Sequence, residues 1–235
     1  MTEPKKLSPE EQKDLDWRMS DAASRGDTQA VRRLLAAGAN VHVSDDNAIR
    51  FAAKHGNIET VQVLLAASAN VHAGNDEALR GAADHGHTAT VQVLLTAGAN
   101  VNANDDEALC WAVNRGLAET VTVLLAAGAN VYVRDNWALH WTAFTGRTQM
   151  MQVLARHIFA SESWCGKSRT EIENHADALY NKIKTFDFSS SIKPEYLRQA
   201  GTILLDCALT CWEQVRPPPP PGFKISPLPA QPRAL

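Results

Sequence analysis

Ala66-Ala67-Ser68-Ala69-Asn70-Val71 belongs to a set of near-copies spaced thirty residues apart. Gly38-Ala39-Asn40-Val41 precedes it, and Gly98-Ala99-Asn100-Val101 and Gly128-Ala129-Asn130-Val131 follow. A fixed period between about 20 and 50 residues marks a repeat array, in which each unit buries its apolar face against its neighbours. The rest of the chain falls into register on this ruler.

Ahead of the second copy, Ala48, Ile49, Ala52 and Ala53 sit at i, i+1, i+4 and i+5, one face of a short helix. Gly56 ends that helix, as a residue tolerant of positive φ does. A second helix puts Val61, Leu64 and Leu65 inward. The frame recurs as Leu79, Ala82, Ala83, Gly86, Val91, Leu94, Leu95, and again as Leu109, Ala112, Val113, Gly116, Val121, Leu124, Leu125. Divergent copies stand at the ends, Met19 to Leu35 and Leu139 to Leu154. Five units are predicted, at about 15–44, 45–74, 75–104, 105–134 and 135–160. Ser8-Pro9-Glu10-Glu11 predicts the first helix start, with Ser as N-cap, Pro at the first position and Glu three after the cap; the helix should run to about Arg25.

Residues 47–71, and likewise 77–101 and 107–131, resemble an ankyrin repeat, and the resemblance covers about 16–157. It implies an all-α ankyrin-repeat solenoid whose first-helix face lines a concave groove that grips protein partners. The usual repeat is about 33 residues long. In this chain Asp45-Asp46-Asn47, Asp105-Asp106-Glu107 and Asp135-Asn136-Trp137 replace the longer turn, so the β-hairpin fingers should be shortened, with Asp as helix N-cap. Arg50, Arg80, Cys110 and His140 occupy the place of the family's usual turn-supporting histidine. His140 is expected to keep that role. An arginine cannot accept a hydrogen bond, so Arg50 and Arg80 are expected to reach the acidic turns at Asp45, Asp46 and Asp76.

Past Arg156 the repeat fades. Residues 161–167 read as a loop, and Ser168 with Glu171 as a capping box leading into Ile172, Ala176, Leu179 and Ile183. Phe186 to Ser191 should break that helix, and Pro194 opens another with Leu197, Ala200, Ile203, Leu204, Ala208, Cys211, Trp212 and Val215 along one side. Residues 161–215 are expected to form a helical extension that caps the open end of the stack. Residues 1–7 should be disordered, as should the proline-rich tail 216–235 with its five consecutive prolines from Pro217. Pro229 and Pro232 are spaced like a ligand for a proline-binding module, but such pairs are common in tails of this composition.

Across 235 residues the hydrophobic fraction is 45%, the charged fraction 21% and the net charge −3, with both signs interspersed. No clustered basic face speaks for nucleic acid or an anionic membrane, and no apolar run is long enough to span a bilayer. No secretory signal is visible after Met1. Cys110, Cys165, Cys207 and Cys211 form no Cys-x-x-Cys pair, which suits reduced thiols in the cytoplasm.

Several constellations fail on spacing. His42 and His72 lie one repeat apart, roughly 10 Å, too far to share a metal ion. Gly166-Lys167-Ser168 lacks the glycine that a phosphate-binding loop needs at position 161. Cys165 with His157 or His175 lacks an orienting third group. No cofactor, small molecule or catalytic residue is expected.

One column does point to function. Position 51 of the frame faces away from Ile49, Ala52 and Ala53, and in successive units it holds Phe51, Gly81, Trp111 and Trp141. Positions 47, 54 and 55 lie beside it. These outward positions vary while the inward ones hold. Phe51, Lys54, His55, Asp84, His85, Trp111, Asn114, Arg115 and Trp141 are the candidate partner-binding residues. Trp with nearby Arg is an interface composition. A non-catalytic, monomeric adaptor for another protein is the reading that follows. Its rivals are an effector, delivered into a host cell, whose C-terminal helices carry a separate activity, and a self-assembling scaffold.

Overall fold

The computed structural model describes residues 8–161, 164, 167–185 and 192–215. The expectations for 1–7, for the loop around Cys165, for the break at 186–191 and for the tail 216–235 lie outside the described residues. Among those described, every regular element is a helix: α1 Pro9–Arg25, α2 Thr28–Ala36, α3 Val43–Lys54, α4 Ile58–Ala66, α5 Ala73–Asp84 and α6 Thr88–Thr96 come first. Then follow α7 Ala103–Arg115, α8 Ala118–Ala126, α9 Val133–Thr145, α10 Thr148–Ser161, α11 Arg169–Thr185 and α12 Pro194–Val215. First helices pack on first helices (α1, α3, α5, α7, α9) and second helices on second helices (α2, α4, α6, α8, α10). The chain is thus an all-α solenoid.

The helices start and stop where local chemistry dictates. Ser8 and Glu11 make the reciprocal capping box ahead of α1, with Pro9 behind the cap. Each first helix ends on a glycine at positive φ: Gly26, Gly56, Gly86, Gly116 and Gly146. The amide after each glycine bonds back five residues, as in Asp27 to Ala22, Asn57 to Ala52 and His87 to Ala82, each at 2.9 Å. Between the two layers Met19, Ile49, Leu64, Leu79, Leu94, Leu109, Leu124 and Leu139 are fully buried, and the alanines beside them let the helices approach.

The glycine seat has a second function. The residue that follows it in the next unit lies directly over it. A Cβ on Gly26 would meet the Asn57 side chain at 2.7 Å, one on Gly56 the His87 ring at 2.5 Å, and one on Gly86 Leu117 at 2.9 Å. Asn57 from its seat donates to the carbonyls of Ala23 and Ser24, and Arg147 donates to that of Val113, all at 2.9 Å. The freed carbonyls at the ends of α1 and α7 are therefore satisfied by the following unit, whereas Leu117 over Gly86 brings packing and no donor.

The link between units departs from expectation. No hairpin is present among the described residues. Ser44-Asp45-Asp46 takes three successive left-handed conformations, φ 51°, 57° and 52°, and 74–76, 104–106 and 134–136 do the same. Nor does the aspartate cap its own helix. Asp46 is buried, and its Oδ1 accepts the backbone N–H of Asn70 in the next unit at 2.8 Å. Asp16, Asp76 and Asp106 hold Asn40, Asn100 and Asn130 in the same way, at 2.7, 2.8 and 2.7 Å. Four residues before Asp16, Asp46 and Asp76, Gln12, His42 and His72 set a side-chain nitrogen 2.8–3.1 Å from the same carboxylates. Each asparagine in turn accepts from the amide two residues on, as in Asn70 and His72 at 3.0 Å. The column ends at Asn136. Its Oδ1 is buried without a hydrogen-bond partner among the described residues, because α10 runs on where an exit turn would supply the next amide.

The arginines are corrected too. Arg50 and Arg80 donate to backbone carbonyls of the left-handed turn, Ser44 at 2.9 Å and Gly74 at 2.8 Å, and to Glu77 and Glu107 of the next unit. They bypass the carboxylates of Asp46 and Asp76, which are occupied by the asparagine amides, and that of Asp45, which is exposed. His140 does support its turn, through Nε2 and the carbonyl of Asp135 at 3.0 Å.

The helices α11 and α12 pack against α9, and α12 also against α10. Ser168 and Glu171 form the box that starts α11. Tyr196 of α12 sits over Gly146, whose Cβ would meet its ring at 2.6 Å. Tyr196 thus takes the seat that Asn57, His87, Leu117 and Arg147 take on earlier glycines.

Two outcomes follow. Ser68 holds φ 68° where Gly38, Gly98 and Gly128 stand in the other copies, and a left-handed side-chain-bearing residue costs about 1–2 kcal/mol. Ser68→Gly should raise the unfolding free energy by about 1 kcal/mol in urea titration. Asp76→Ala and Asn136→Ala share the same backbone cost, so their difference isolates the hydrogen bond to Asn100; Asp76→Ala should be the worse by about 1–3 kcal/mol.

Candidate functional site

The first helices α3, α5, α7 and α9 line up the column at 51, 81, 111 and 141. Phe51 and Trp111 are 43% and 40% exposed, large apolar surfaces left in solvent. Trp141 is half-buried: its ring stacks on Trp137 at 5.7 Å and tilts against Phe144 at 5.8 Å. Phe144 remains exposed at the end of that aromatic run. The last unit therefore presents a packed aromatic surface rather than a free tryptophan.

The charged candidates are largely engaged with one another. Arg115 meets Asp84 of the preceding unit through Nε and Nη2, at 2.9 and 3.1 Å, a bidentate pair. His55 and His85 turn Nδ1 to carbonyls of their own helices, Phe51 and Gly81, both at 2.9 Å. Lys54, His55, His85 and Arg115 are exposed, and Asp84 and Asn114 half-buried. Burial works to raise the Glu107 carboxyl, but hydrogen bonds from Asn104, Arg80 and Trp111 and the Arg80 charge hold it below the ordinary range. The Trp111 indole is oriented by that carboxylate, with its ring left to solvent.

One residue on this side escaped the sequence reading. Trp17, 67% exposed, is the most open aromatic among the described residues, and it borders a cavity of about 440 Å³ with Pro9, Lys13, Val43 and Asn47. Its signal was present, since Trp17 shares a frame position with Asn47. Asn47 itself accepts from Ser20 of the preceding unit at 2.6 Å, so this frame position also joins units.

Cys110, Cys207 and Cys211 are free thiols, and burial pushes all three up, away from the nucleophilic thiolate. Cys165 lies outside the described residues. Among those described, no three His, Cys, Asp or Glu side chains converge to hold a metal ion. No helix among them is long and apolar enough to cross a membrane.

A family model for ankyrin repeats, in three copies, matches residues 19–105, and a model of a single ankyrin repeat matches 107–136. Comparison with curated proteins gave no match.

The histidines give the array a pH dependence. Burial lowers His87, and the charges of His85 and His55 lower it further against a hydrogen bond to Lys54; burial also lowers His140 and His157. Below the ordinary histidine value of about 6.5 the unfolded chain takes up protons that the folded chain refuses. Stability present above that value is lost as pH falls through the folded-state values. The denaturation midpoint should drop between pH 7 and pH 5, and His87→Asn, which copies Asn57, should flatten the drop.

Proposed function

This chain belongs to the ankyrin repeat family, whose arrays are in general protein–protein interaction modules, and we propose that it is a non-catalytic adaptor gripping one protein partner along its first helices. The observation that carries the reading is the pair Phe51 and Trp111. They are exposed on a face where Arg50, Arg80 and Arg115 are already engaged with carboxylates of neighbouring units. Exposed aromatics held on a rigid scaffold lose little entropy on binding, and such rings dominate interface energetics. Lys54, His55, His85, Asn114 and the Asp84–Arg115 pair form the polar surround, and Trp141 with Phe144 extends the aromatic strip.

The two ends favour a monomer over a stacking scaffold. The described helices α11 and α12 lie over the last unit. On α1 and α2, Arg18, Arg25, Arg32 and Arg33 are all exposed. A cytoplasmic setting suits the reduced, buried thiols.

Affinity capture with the full chain, read by mass spectrometry, tests the reading. Phe51→Ala with Trp111→Ala should leave the helical circular dichroism intact and lose the partner, each ring contributing about 2 kcal/mol, roughly 30-fold in affinity. Capture of the same proteins by wild type and variant in equal yield overturns it.

A further inference from the structure

Gly81 is the anomaly of the exposed column. It lies inside α5 at an ordinary helical conformation, absent from the positive-φ glycines. Glycine there is a poorer helix former than alanine. Space does not demand it: a Cβ would approach no atom closer than Lys54 Cβ, at 3.5 Å, an ordinary contact. Neither backbone geometry nor packing explains the missing side chain. Its effect is a notch midway between Phe51 and Trp111, whose helices flank α5, with Lys54 Cα and Cβ along one wall. Two helix spacings put the flanking rings roughly 20 Å apart.

At the C-terminal ends of the first helices, beside the notch, Asp84 is held by Arg115 and lies 3.6 Å from His85. Glu77 and Glu107 pair with Arg50 and Arg80, and Asp45 and Asp105 stand exposed at the opposite ends of α3 and α7. Lys54 has no ion pair among the described residues, and His55 and His85 flank it, both exposed. A chain of net charge −3 thus presents an unpaired lysine beside the notch at Gly81.

We infer that the Gly81 notch receives one apolar side chain of an acidic partner segment, whose carboxylates meet Lys54 and the neighbouring histidines. This rests on the reading of the first-helix face as the binding surface and narrows it to a ligand class. Phe51 and Trp111 clasp the segment on either side. A side chain at 81 fills the recess without touching the inter-unit hydrogen bonds.

The test starts from peptides of about a dozen residues displayed on phage and selected on the immobilised full chain. Selected sequences are then synthesised and measured by fluorescence anisotropy. The expected consensus carries an aromatic or branched aliphatic residue with two or more Asp or Glu close by. Gly81→Leu and Lys54→Glu should each weaken binding about tenfold or more, the loss of one anchor. Added salt should weaken it too. Gly81→Ala should raise the melting temperature, showing that the glycine is not held for stability. A neutral, basic or proline-rich consensus, equally tight binding of a peptide copying residues 216–235, or no enrichment at all overturns the inference. If Phe51→Ala with Trp111→Ala abolishes binding and a well-folded Gly81→Leu does not, the groove stands and the notch falls. If none of these variants alters binding, both fall.

Discussion

A buried carboxylate that accepts an amide from the following unit is the interaction on which this molecule depends. Asp46, Asp76 and Asp106 are about 95% hidden, and each satisfies the N–H of an asparagine in the following unit, Asn70, Asn100 or Asn130. A buried carboxylate without donors is costly. Burial indeed pushes the Asp106 carboxyl up, and the Asn130 amide pulls it back down. The left-handed turn that holds each aspartate is itself unfavourable for residues with side chains. Turn, carboxylate and amide therefore stand or fall together, and a unit is incomplete until its successor has folded. At the end of the column the residue changes from Asp76 and Asp106 to Asn136. With no amide to receive, a neutral acceptor replaces a charge that nothing would offset.

The same economy shapes the exposed face. Arginine and glutamate side chains that look like a recognition surface in the sequence are engaged across the joints between units. Arg50 reaches Glu77, Arg80 reaches Glu107, and Arg115 reaches Asp84. Exposed pairs of this kind contribute little stability individually. Their consequence lies in what they remove from the surface. Much of the charge on this face is engaged between units, while Phe51, Trp111 and Lys54 stay exposed.

The period, the helix pairs, the alanine–leucine core and the glycine at each helix end could be read directly, because each follows from residues within one unit. Ser8 with Glu11 and Ser168 with Glu171 were legible for the same reason. Contacts between units were not. Asp45 and Asp46 are identical in type and adjacent, yet only Asp46 is buried, and its partner lies 24 residues away. The targets of Arg50 and Arg80 depend on how one turn stacks over the next, a relation absent from any single helix pattern. Gly81, read at first as one member of a variable column, gains meaning only beside the open space for a Cβ that the fold leaves there.

Tyr196 over Gly146 has a consequence for how such a chain can change. The terminal helices greet the final unit with the same gesture that every unit makes to its predecessor: a side chain laid over a left-handed glycine. Nothing at that joint registers how many units came before. An in-frame duplication or loss of one internal unit would present the cap with an unaltered Gly146. The length of the groove, and with it the size of what it can embrace, is free to drift without a matching change at the terminus.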